Sequence, residues 1–147
     1  MTYVSTKTYR DLFPVAYRQW RAESHCNQIH GYSLEFHIEF ESEELDVRNW
    51  CVDFGSLRSF KDNLEDWFDH TLLVAEDDPE KDAFEMLAER GLAKLTYVEK
   101  TGCEGLAKFL YDYLSEIWLP ENGYSPRVKV RSVEVRENGA NSAIYYG

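Results

Sequence analysis

The stretch His30-Gly-Tyr-Ser-Leu-Glu-Phe-His-Ile-Glu-Phe-Glu41 decides how the rest of the chain is read. Tyr32, Leu34, Phe36, Ile38 and Phe40 alternate with Ser33, Glu35, His37, Glu39 and Glu41, the period-two pattern of a strand with one face in a core and one in water. Even positions point inward. His30 therefore belongs with Tyr32 on the apolar side, and His37 belongs to the wet side.

Working outward, the segment from about Tyr3 to Trp20 is rich in Thr, Tyr, Val and Phe and reads as an earlier strand, with Pro14 marking an edge, a bulge or a break. After a Glu-rich turn over 41–46, the short apolar piece Trp50–Gly55 leads into a helix with Leu57, Phe60, Leu64 and Trp67 in one stripe. Asp78 before Pro79, with Gly91 as a stop, predicts a helix over 79–90. Leu92–Val98 reads as extended. Thr101-Gly-Cys-Glu104 has the form of a capping box opening a helix whose Leu106, Phe109, Leu110, Tyr113, Leu114 and Ile117 share a face. Val128–Arg136 and Ala140–Tyr146 read as two strands joined at Glu137-Asn138-Gly139, a hairpin signal. Strands, then helices, then strands argue for an α+β fold with an antiparallel sheet covered on one face.

The 147 residues fit one domain, 1–147, and 44% hydrophobic content is enough for a real core. A net charge of -11 without any basic run excludes the electrostatic footprint of a nucleic-acid binder. No stretch approaches the length of a membrane span, and MTYVSTKTYRDLF lacks the pattern of a signal peptide. The expected location is the cytoplasm. Cys26, Cys51 and Cys103 lack metal-knuckle spacing and read as reduced thiols.

Phe13-Pro-Val-Ala-Tyr-Arg18, Cys26-x-x-x-His30-Gly-Tyr32, Val52-Asp-Phe54 with Asp69-His70, and Glu104 opening a helix with Glu137 near the C-terminus occur in that order. Together they resemble the 6-pyruvoyl- and 6-carboxytetrahydropterin synthase family. The resemblance implies a T-fold: a four-stranded antiparallel sheet with helices on one face, associating into trimers and a hexamer made of two trimers, with active sites at subunit boundaries. It further implies a zinc-dependent reaction on 7,8-dihydroneopterin triphosphate, serving the 7-deazaguanine (queuosine) pathway in the 6-carboxy branch. By resemblance, Cys26 moves protons, Asp69 and His70 form an acid–base relay, and Glu137 anchors the pterin ring, with Glu104 as a further ligand contact. The bland alternatives are a small loop residue for Cys26, a surface cap for Asp69-His70, a solvated turn residue for Glu137 and a helix cap for Glu104.

The family's three zinc-binding histidines fall on Tyr17, His30 and Tyr32, so one imidazole of three remains. Neutral tyrosine is a poor zinc ligand, and His25 and Cys26 do not stand at matching positions. No bound cofactor is expected, zinc being the alternative, and His30 reads as a buried histidine hydrogen-bonded within the sheet, with one of those tyrosines as a candidate partner. Thr101-Gly102 replaces the family Pro-Thr, and the helix near 79–90 lengthens the loop after Asp69-His70. Cys51 and Cys103 read as core or interface thiols. The expected function is binding of a pterin or purine-like ligand with lost or altered lyase chemistry; a conventional 6-carboxytetrahydropterin synthase and an oligomeric scaffold are the alternatives. Overall acidity disfavours a triphosphate unless Arg10, Arg18 and Arg21 offset it.

Overall fold

The computed structural model describes residues 1–147. The strands are β1 (Tyr3–Tyr9), β2 (Pro14–Tyr17), β3 (His30–Ser33), β4 (Glu35–Ser42), β5 (Thr71–Ala75), β6 (Leu95–Val98), β7 (Lys129–Arg136) and β8 (Ser142–Tyr145), and the main helices are α1 (Arg58–Phe68), α2 (Lys81–Glu89) and α3 (Cys103–Tyr113). One sheet, in the order β1-β4-β7-β8, is antiparallel throughout, as the strand order implied. A second sheet, β3-β2-β5-β6, is mixed, with β5 parallel to both neighbours. The chain thus has eight strands in two sheets rather than four in one.

The second sheet arises where the deciding strand divides. At Leu34 the backbone N–H turns to the carbonyl of Phe13, 3.0 Å away, so β3 pairs with β2 while β4 continues into the first sheet. Alternation runs through the break because both halves face the same core: Leu34, Phe36, Ile38 and Phe40 are all fully buried. β5 carries no alternation to read. Its Thr-Leu-Leu-Val-Ala is buried at every position, with Leu73 in the main core and Leu72 and Val74 in a small cluster with Phe84. A strand covered on both faces is a continuous apolar run.

The main core joins residues from Tyr9 to Val135, with α3 against β7 and β8. Phe60, Leu64 and Phe68 of α1 are fully buried, while Trp67 is half-buried and meets Phe109 and Tyr113 edge-on. Each fully buried Phe contributes about 1.5–3 kcal/mol over leaving it in water. In β7 the pairing skips the exposed Arg131, so that Val130 faces Phe40 in the core and the buried Ser132 pairs with Glu39, donating to its Oε1 at 2.6 Å. The bulge puts Arg131 in water, and the Glu39 carboxylate satisfies the hydroxyl that Ser132 buries.

Four local expectations change. The capping box does not form: Gly102 is the N-cap of α3, and the Thr101 hydroxyl donates instead to the carbonyl of Arg18, 2.7 Å away. Beyond Tyr113 the helix passes into one π-helical turn, Leu114–Trp118. The extra residue turns the face, burying Trp118 and leaving Ile117 exposed. The β7–β8 connection is a longer loop in which the Asn138 Oδ1 accepts from the backbone N–H groups of Ala140 and Asn141 at 2.8 and 2.9 Å. Helix α2 starts two residues later than expected, because Asp78 first accepts the N–H of Glu80 in a turn around Pro79. Gly91, at φ 72°, ends it as anticipated. No helix is long and apolar enough to cross a membrane.

Candidate ligand site

Strand pairing places Tyr17 opposite His30 and Val15 opposite Tyr32, so Tyr17, His30 and Tyr32 lie on one face of the second sheet. The Tyr17 and Tyr32 rings stack at 4.5 Å with 17° between their planes. Tyr17 is buried at 2% exposure, and its hydroxyl donates to Glu137 Oε2 at 3.3 Å across 120 residues of sequence. Two further bonds join this end of β2 to the start of α3: Thr101 to the carbonyl of Arg18, and Gln19 Nε2 to the carbonyl of Thr101 at 2.6 Å. Gly102, at φ 98°, leaves room for the Gln19 amide, which any Cβ there would strike.

This stitching brings the buried Cys103 beneath Tyr17 and Glu137. Burial first, then the carboxylates of Glu137 and Glu104, push its thiol up to about 11. The Tyr17 phenol is pushed far above its ordinary value by burial first and then by Cys103 and Glu137. Tyr32 is raised in the same sense, by burial first and then by Glu137. At neutral pH both phenols and the thiol are protonated, leaving Glu137 beside neutral donors.

The other anticipated residues are distributed around this cluster. Cys26 is exposed in the turn His25–Asn27, whose first N–H bonds are taken by Ser24. That turn is tied to β2 by Gln19 N–H to the Cys26 carbonyl at 2.9 Å and by Arg18 Nη1 to the Asn27 carbonyl at 3.1 Å. His30 is half-buried rather than buried and does not bond to either tyrosine; its Nδ1 shares a 2.7 Å hydrogen bond with the Gln28 carbonyl, and its ring meets His25 edge-on. Asp69 ends α1 and shares a 2.5 Å bond with His70 Nδ1, His70 standing at φ 55° with its side chain largely in solvent. His70 lines an open groove of about 710 Å³ together with Ile29, Gly31 and Tyr32; neither Glu137 nor Cys26 lines it. Glu104 is exposed in the first turn of α3.

Tyr17, His30 and Tyr32 do not fit a three-imidazole zinc site. Both phenols are neutral, one is committed to Glu137, and no group of three or more His, Cys, Asp or Glu gathers within reach of one ion. The three arginines named as possible phosphate partners face acids already. Arg18 forks onto Asp78 at 2.9 and 2.7 Å, Arg21 lies 3.3 Å from Asp77, and Arg10 lies 3.6 Å from Glu35. Sequence reasoning missed Cys103 and the Tyr17–Glu137 bond. Adjacency to Glu104 was the only available signal for the first, and nothing local marked the second.

The family model described as 6-pyruvoyl tetrahydropterin synthase matches residues 6–147. The 6-carboxy-5,6,7,8-tetrahydropterin synthase of Aquifex aeolicus is 27% identical, over 99% of this chain and 98% of its own. An uncharacterized protein of Wolinella succinogenes superposes with a TM-score of 0.83 at 22% identity, covering 99% and 98% of the two chains. The 6-pyruvoyltetrahydropterin synthase of Plasmodium vivax gives a TM-score of 0.63 at 12% identity over the same shares. These two likenesses concern the fold.

Proposed function

The chain belongs to the 6-pyruvoyl tetrahydropterin synthase family, and from that premise we propose that it binds a pterin or related purine-like ring without using zinc. The observation that carries this reading is the Glu137 carboxylate, half-buried beside the Tyr17–Tyr32 stack, two positions that by resemblance correspond to metal ligands of the family. A carboxylate presents two acceptor oxygens, the complement of two adjacent N–H donors on a guanine-like edge. Tyr32 offers an aromatic surface next to it. Cys26 then acts as the proton carrier and Asp69–His70 as an acid–base pair for metal-independent deprotonation or retro-aldol chemistry. None of the five main clefts of the single chain is lined by Glu137. A second copy supplies the other wall of the site in this proposal, within a homohexamer of two trimers that also covers the free edges of β1 and β8.

A second reading, a non-catalytic oligomeric scaffold, is favoured by the burial of Tyr17 and the satisfaction of its hydroxyl by Glu137. Fluorescence titration of the natively purified protein with reduced and oxidised pterins, alongside zinc content and turnover of 7,8-dihydroneopterin triphosphate, separates the possibilities. Pterin binding lost in Glu137→Gln, with no zinc, is the expected result. About one zinc per chain with turnover would restore the conventional enzyme, and no pterin binding at all would leave the scaffold.

A further inference from the structure

We infer that Tyr17 is the positioning residue for the Glu137 carboxylate, and that it thereby sets the site's selectivity for rings presenting two adjacent N–H donors. This rests on the ring-binding reading above. Glu137 is the first residue past β7, and its backbone N–H is held by the Asn141 carbonyl at 3.1 Å. Its side chain has only two holders: Tyr17 on Oε2 at 3.3 Å and the Asn141 amide on Oε1 at 3.5 Å. Both contacts are long, and a carboxylate offers about four lone-pair positions. Two positions therefore remain for a ligand.

The two holders differ in rigidity. Asn141 lies on an exposed loop, whereas the Tyr17 ring is buried, stacked on Tyr32 and fixed by the register of β2 with β3. Its hydroxyl is thus the fixed point about which the carboxylate is oriented. Because the phenol donates to one oxygen of the carboxylate, the remaining lone-pair positions of Glu137 stay acceptors. A ring with paired donors is matched; a ring that turns a carbonyl toward the same place is repelled. Withdrawing the fixed donor lets the side chain rotate and costs both the ordering and the discrimination.

The test compares pterin (2-amino-4-oxopteridine) with lumazine (2,4-dioxopteridine), which carries oxygen in place of the amino group, by fluorescence titration of the full chain. Wild type is expected to prefer pterin by on the order of 100-fold. Tyr17→Phe keeps the stacked ring and removes only the hydroxyl; it should weaken pterin by about tenfold and cut the preference to below about tenfold. A general loosening of the fold would weaken both ligands alike and leave the ratio unchanged. Glu137→Asp, whose carboxylate is one methylene short of the phenol, should lose the preference in the same way should Tyr17→Phe fold poorly. Asn141→Ala should keep it. An unchanged ratio in Tyr17→Phe or in Glu137→Asp, or a loss confined to Asn141→Ala, would overturn the positioning role while leaving ring binding intact. Failure of wild type to bind pterin would overturn both.

Discussion

Arg18→Leu removes one half of an ion pair that closes the loop carrying Asp77 and Asp78 onto the end of β2. The Asp78 side chain is only 2% exposed and that of Arg18 19%, and the two meet through a planar fork at 2.7 and 2.9 Å. In the variant Asp78 keeps one partner, the N–H of Glu80 at 2.9 Å, and is otherwise a buried charge without a counter-ion. Stripping one member from such a pair costs about 3–5 kcal/mol, and for a chain of this length that lowers Tm by about 6–20 °C. Asp78→Ala should cost less, about 2 kcal/mol, because Arg18 still bonds the Asn27 carbonyl and lies over the Phe84 ring at 5.9 Å. The pH dependence follows from Arg18 holding the Asp78 carboxyl below its usual range, chiefly by hydrogen bonding. Stability from a depressed carboxyl is present above the unfolded value of about 3.9 and is lost as pH falls through the folded value. Urea denaturation should therefore show a wide gap between wild type and Arg18→Leu at pH 7 that narrows below about pH 4. A gap at pH 7 under about 1 kcal/mol, the range of an exposed pair, or one that does not narrow on acidification, would refute the reasoning.

Placing imidazoles at two positions, as Tyr17→His with Tyr32→His, should gain about one zinc per chain by atomic emission, since both side chains share the face of His30; absence of gain would show that the backbone does not support a metal there. Gly105→Ala, ordinarily helpful inside a helix, should here destabilise by about 1–3 kcal/mol in thermal melts, because its Cβ would lie 2.5 Å from the Lys100 carbonyl oxygen. A stabilised variant would mean that the contact relaxes freely. Thiol titration with a disulfide reagent at pH 8 should show one fast group, Cys26, and two released only on unfolding, because Cys51 and Cys103 are buried and Cys103 is held protonated. Two fast groups would place one of the two buried thiols within reach of solvent.

What could be read along the chain was what is decided locally. The alternation over 32–41, the Phe60–Leu64 stripe, the stop at Gly91 and the strands flanking Glu137 depend on side-chain period and on backbone angles that neighbouring residues dictate. The ordered motifs carried the family. What required the third dimension was every feature whose partner lies far away in sequence. β5 was invisible because burial on both faces erases the period. Thr101 looked like a cap because its better acceptor, the Arg18 carbonyl, is 83 residues distant. Tyr17 looked like a lost ligand until the fold set its hydroxyl against Glu137 and Cys103 beneath it. A residue's type and spacing determine which element it joins; which group meets its polar end is decided only when the sheets and α3 pack, because hydrogen bonds and burial act over a few ångströms of space and not along the chain.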